Sequence, residues 1–228
     1  MKKLIICLAA VLACAISYAA DPVMPTIVAI GDSNGQNEFG WANSLRDKLP
    51  DARVINKSRS GRTLSFTNQG KADKNGLLYT PMILEELDAL PYATSIKYII
   101  LNLGTNDALV QYADRTDLYK PNLTKLVKII KKSRICKKYG AELILMSPFP
   151  VNENAPKFKK DKYEGAAERT AFFAEQMEQV AAKSGVRYLN VRGTVEPLMN
   201  RSNCADGIHL NAELSAVVAD EIIKFISE

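Results

Sequence analysis

The chain has 228 residues, 47% of them hydrophobic and 24% charged. This suits one α/β domain with a sizeable core and excludes a long disordered tract or a repeat solenoid. The formal charge is +5, or +3 without Lys2 and Lys3, which is too mild to point to nucleic acid.

Met1-Lys2-Lys3 gives a positive start, Leu4 to Ala13 is apolar or small, and Ser17-Tyr18-Ala19 has small residues where a signal peptidase reads. Residues 1–19 are therefore expected to be a secretory signal peptide, with 20–228 as a single exported domain, periplasmic or secreted. The apolar run is too short to span a bilayer comfortably. Val11-Leu12-Ala13-Cys14 leaves an alternative, a lipoprotein signal ending before Cys14 with a lipid anchor on that cysteine. Cleavage at Ala19 leaves Cys136 and Cys204, whose pairing the sequence does not decide.

Thr26–Ile30 is a β-branched run stopped by Gly31 and reads as a buried strand. A helix is expected over 41–49, closed by Pro50, then a strand over 53–56. The pattern continues with a helix over 82–90, a strand over 98–103, a helix over 123–139 and a strand over 142–146. A polar loop with prolines covers 148–163. It carries the densest basic run, Lys157, Lys159, Lys160 and Lys162, which reads as a solvated surface. Phe149 and Phe158 of this loop could line a site. A helix over 166–184, a strand over 187–191 and a helix over 212–226 close the chain.

Strands alternating with helices predict a three-layer α/β/α sandwich around a central, mainly parallel five-stranded sheet. In such sheets ligands bind beyond the carboxyl ends of the strands. Gly31-Asp32-Ser33 follows the first strand. A serine there can expose its hydroxyl near a helix N-terminus, though Asp and Ser are also ordinary helix caps. Gly61 follows the second strand, where a bare backbone N–H could approach a ligand. Gly104-Thr105-Asn106-Asp107 follows the third and offers an amide donor. Asp206-Gly207-Ile208-His209 contains the single histidine of the chain, with an acid three residues before it.

Together, in this order and spanning Gly31 to His209, the four blocks resemble those of the SGNH or GDSL hydrolase family. Asn34 departs from that pattern, where Leu or Thr is commoner after the serine. The resemblance implies a serine esterase with no metal and no cofactor. Ser33 is the implied nucleophile, His209 the base and Asp206 its orienter. The implied oxyanion donors are the Ser33 and Gly61 backbone N–H groups and the Asn106 amide. Asp32, Gly104 and Asp107 take supporting roles.

The stretch Asn56 to Phe66 resembles carbohydrate acetylesterases within the family and makes Arg62 a candidate substrate contact. The partner implied is a small-molecule or polysaccharide ester, with short acyl groups on carbohydrate favoured. Lysophospholipase or thioesterase action remains the alternative, and a non-catalytic binding module on the same fold is the alternative of another class. A dinucleotide-binding oxidoreductase fits poorly. Its turn should read G-x-G-x-x-G, and Asp32 puts an acid where the phosphates would lie.

Overall fold

The computed structural model describes residues 24–228. The expected leader over 1–19, Cys14 included, lies outside the described residues. Five parallel strands form one sheet in the order β2-β1-β3-β4-β5: β1 (Thr26–Ile30), β2 (Arg53–Asn56), β3 (Ile96–Leu101), β4 (Glu142–Met146) and β5 (Arg187–Leu189). The helices are α1 (Ser33–Gln36), α2 (Trp41–Lys48), α3 (Gly76–Asp88), α4 (Tyr119–Lys132), α5 (Arg134–Lys137), α6 (Lys160–Tyr163), α7 (Ala166–Ser184), α8 (Val191–Val195) and α9 (Ala212–Ser227).

The strands alternate between two cores, because successive side chains point to opposite faces. Val28, Ile30, Ile99, Leu101, Leu143 and Leu145 pack with α3, α4 and α7 on one face. Ile27, Ala29, Ile100, Ile144 and Met146 pack with α2, α8 and α9 on the other. The central strands are buried on both faces, which is why they read as unbroken apolar runs. The expected α/β/α sandwich is what the chain forms. No helix among the described residues is long and apolar enough to cross a membrane.

Local chemistry moves several expected boundaries. Asn75 caps α3 by accepting the Leu78 N–H at 3.1 Å, so this helix starts before Pro81 and ends at Asp88. The helix expected over 123–139 is two helices. Ser133 is extended at ψ 156° and caps α5 through its hydroxyl. β5 stops at Leu189 because Asn190 caps α8. The loop over 148–163 holds one helical turn, α6. Phe149 does not line a site: it is fully buried in the α2/α9 core. Phe158 packs partly against the opposite core. Cys136 packs against that same core, whereas Cys204 belongs to the α2/α9 core, so the sheet separates them. Both are free thiols.

Gly104, just beyond β3, is a position where only glycine fits. Its φ is 138°, and an added Cβ would meet Pro148 Cγ at 2.5 Å and the Tyr119 hydroxyl at 2.9 Å. Gly104→Ala is expected to lower unfolding free energy by at least about 2 kcal/mol, combining backbone strain and overpacking. Urea denaturation of the purified domain checks this.

Candidate active site

The three turns after β1, β2 and β3 are neighbours because those strands are neighbours. Asp32 caps α1, and its carboxylate accepts the Asn34 N–H at 2.9 Å. This holds Ser33 at the first position of a helix, where a backbone N–H has no intrahelical acceptor. The Ser33 N–H has no partner among the described residues, and neither has the N–H of Gly61. Gly61 sits at φ 76° in the loop after β2.

Asn106 ties these turns together. Its amide donates to the Arg62 carbonyl at 3.1 Å and, more distantly, to the Asp32 carboxylate at 3.4 Å. The Asp107 carboxylate accepts the N–H groups of Leu64 and Ser65 at 2.7 and 3.0 Å, which fastens the β2 loop to the β3 loop. Both acids are buried. Burial pushes Asp32 up to about 6, although the Asn34 N–H and the nearby His209 pull the other way. It pushes Asp107 up to about 7 against its two backbone donors.

The fourth block arrives from the far end of the chain. Ser33 Oγ lies 2.9 Å from His209 Nε2, and His209 Nδ1 lies 2.7 Å from Asp206 Oδ2. The other Asp206 oxygen accepts the N–H groups of Ile208 and His209 at 3.0 and 2.8 Å. Burial raises the Asp206 carboxyl, but the ring of His209 and these two backbone donors outweigh it and hold the group well below the usual carboxylate range. An ionised Asp206 can only accept, so the proton is assigned to Nδ1, and Nε2 is left to accept from the serine. The hydrogen bond to Asp206 raises the imidazole above its ordinary 6.5, and burial opposes it.

Asn34, which the sequence shows only as a departure from the family pattern, has a role that the fold reveals. It is buried, and its amide donates to the Ile208 carbonyl at 3.1 Å while its oxygen accepts the Leu210 N–H at 3.0 Å. These two bonds bracket His209 and join its turn to the turn of Ser33. The 148–163 segment grips the same turn from the other side. Asn152 N–H donates to the Gly207 carbonyl at 2.9 Å, and Lys157 N–H to the Ala205 carbonyl at 3.1 Å. Gly207 is at φ 77°, and any side chain there would collide with the Asn152 carbonyl.

Arg62 has a framework position. It is 3% exposed, and its guanidinium donates to the carbonyls of Asp73 at 2.9 Å and Lys57 at 2.6 Å. Burial pulls this group down to about 10 even beside Asp73. The part of Arg62 that meets Asn106 is its backbone carbonyl.

No curated protein matches the sequence. Among solved structures, the carbohydrate acetylesterase Est24 from Sinorhizobium meliloti superposes with a TM-score of 0.69 at 21% identity, covering 88% of this chain and 99% of that one. The native aryl esterase of M. smegmatis gives 0.68 at 22% identity, over 88% and 99% of the two chains. A lipase/acylhydrolase from Enterococcus faecalis gives 0.62 at 15% identity, over 89% and 95%. At these identities the likeness is one of fold. The sequence itself matches the GDSL-like lipase/acylhydrolase family over residues 26–217, nearly all of the described chain. The chain belongs to the GDSL-like lipase/acylhydrolase family, whose members are hydrolases acting on esters.

Proposed function

We propose that this protein is an exported esterase that works through an acyl-Ser33 intermediate and removes short acyl groups, acetyl above all, from carbohydrate. The observation that carries the mechanism is the alignment of Ser33 Oγ, His209 and Asp206 at 2.9 and 2.7 Å. Serine hydroxyl is a weak nucleophile until a base takes its proton, and the base works only if a third group holds it. His209 Nε2 accepts the proton as Ser33 Oγ attacks the carbonyl. The imidazolium formed is stabilised by Asp206 and returns its proton to the departing alcohol. Water, deprotonated by the same imidazole, then cleaves the acyl-serine.

Charge on the carbonyl oxygen develops next to the unpartnered N–H groups of Ser33 and Gly61 and the amide of Asn106. In a site that excludes water, one such donor is worth about 10²–10³ in rate. Asp32 and Asp107 shape the loops that present these donors, and Gly104 allows the turn that leads into Asn106. The carbohydrate reading rests on the Asn56 to Phe66 stretch and agrees with the acetylesterase named among the similar folds. Export rests on the composition of residues 1–19.

Wild type and Ser33→Ala are to be assayed on p-nitrophenyl acetate, butyrate, octanoate and palmitate and on acetylated xylan. Acetate is expected to be turned over best, with nearly all activity lost in the variant. Preference for octanoate or longer chains would move the substrate to lipid or thioester. Equal rates in both proteins would remove Ser33 from the mechanism.

The pH profile has a defined sign. His209 must be neutral to act, so kcat/KM falls as pH drops through the imidazole value, which Asp206 raises above 6.5. Asp206→Asn is expected to move this acidic limb to lower pH and to reduce kcat by about 10²–10⁴-fold.

Asn34→Leu removes both bonds that bracket His209. We expect kcat to fall by about 10- to 100-fold with KM within a few-fold, together with about 1–3 kcal/mol of stability lost. Asn34→Asp keeps the acceptor for Leu210 N–H and should fall between the two. Steady-state kinetics beside urea denaturation separates the two effects: kcat unchanged in a destabilised Asn34→Leu protein would limit Asn34 to folding.

A further inference from the structure

The basic run that reads as a solvated surface in the sequence borders the active site in the fold. A cavity of about 110 Å³ is walled on one side by Asp206, Ile208 and His209 and on the other by Lys159, Lys162 and Tyr163. Lys162 and Tyr163 lie on the α6 turn, and Lys159 is the extended residue that precedes it. Lys160 does not line the cavity and is ion-paired to Glu164 at 3.2 Å. Lys159 and Lys162 enter no ion pair among the described residues. Asp206 makes no hydrogen bond to either lysine among the described residues, and its own bonds go to His209 and Ile208. The Tyr163 hydroxyl also has no hydrogen-bond partner among the described residues. Burial, and then Asp32 and Asp206, push this phenol up to about 12, so it stays a neutral donor.

We infer that Lys159, Lys162 and Tyr163 form the subsite for the leaving alcohol and select esters whose alcohol portion carries an anionic group. The inference rests on the esterase reading above. In that reaction His209 delivers a proton to the departing oxygen, so a group bound in a cavity that touches His209 belongs to the alcohol and not to the acyl chain. Two free ammonium groups and a phenol donor on one wall give an anion both charge and hydrogen bonds. A small cavity suits a single ring bearing a carboxylate, or a phosphate.

The test uses matched acetyl esters, 4-acetoxybenzoate and neutral 4-acetoxybenzamide. Wild type is expected to favour the benzoate in kcat/KM. Lys159→Gln/Lys162→Gln should lower the benzoate-to-benzamide ratio by roughly tenfold, in keeping with two partly exposed ion pairs. Added salt should lower the wild-type ratio and leave that of the variant nearly flat. An unchanged ratio in the variant, or a wild type that favours the benzamide, would overturn the inference. Acetylated polygalacturonate and lysophosphatidylglycerol then separate the sources. Turnover of the first makes the anion a uronate and of the second a phosphate, and either supports the subsite.

A failure of the esterase reading is read separately, by calorimetric binding of 4-hydroxybenzoate and 4-hydroxybenzamide to the Ser33→Ala protein. Tighter binding of the benzoate that is lost on replacing both lysines supports the subsite without turnover. Equal binding of the two phenols contradicts it.

Discussion

The parallel ladder joining β2, β1 and β3 is the constraint on which the site depends. Parallel strands all end at the same edge of a sheet, and these three are adjacent. The Ser33 turn therefore lies between the Gly61 loop and the Asn106 loop without any of the three having to reach across the molecule. Short cross-links then set the distances. Asn106 binds the Arg62 carbonyl, and Asp107 binds the N–H groups of Leu64 and Ser65. Arg62 braces the β2 loop from below through two carbonyls.

Asp206 and His209 follow no strand end. They lie on a turn that precedes α9, and separate contacts must bring that turn to Ser33. Asn34 supplies two of them from the Ser33 side, and the 148–163 segment supplies two more from the other. A base whose turn is gripped from both sides loses little orientational freedom, which is what proton transfer over one hydrogen bond requires. The lysines of α6 ride on the same gripping segment. On our reading, the element that positions the histidine also meets the leaving alcohol.

The edge carries an energetic cost. Asp32 and Asp107 are buried carboxylates held above their ordinary range, and each is tolerated because it accepts backbone or amide donors. Buried polar groups of this kind make a loop adopt one geometry, since each alternative leaves a donor unpaired.

Much of the fold was legible because its signals are local. Thr26–Ile30 and Glu142–Met146 are strands in the sequence and in the structure, and the alternation of strands with helices gave the layers. The four blocks pointed to chemistry through their joint order, which resembles that of the SGNH or GDSL hydrolase family, since each block alone is also an ordinary turn or cap. What was not legible depends on partners distant in sequence. Asn34 looks like a departure from a pattern until Ile208 and Leu210 are placed beside it. Arg62 reads as a candidate substrate contact until the Asp73 and Lys57 carbonyls close around its guanidinium. Lys159 and Lys162 look solvated until the fold places them at the same cavity as Asp206 and His209. The Ser133 break was missed for a local reason: serine does not disturb helical periodicity, and only its hydroxyl bond to the Cys136 N–H shows a new helix starting.

The central claim is that Ser33 is the nucleophile made reactive by His209. The most direct measurement is reaction of the purified protein with a fluorophosphonate, followed by peptide mapping by mass spectrometry. The account predicts one adduct per chain, on Ser33, and loss of that adduct in His209→Ala. An adduct on another residue, or no adduct on a protein that hydrolyses esters, would contradict it.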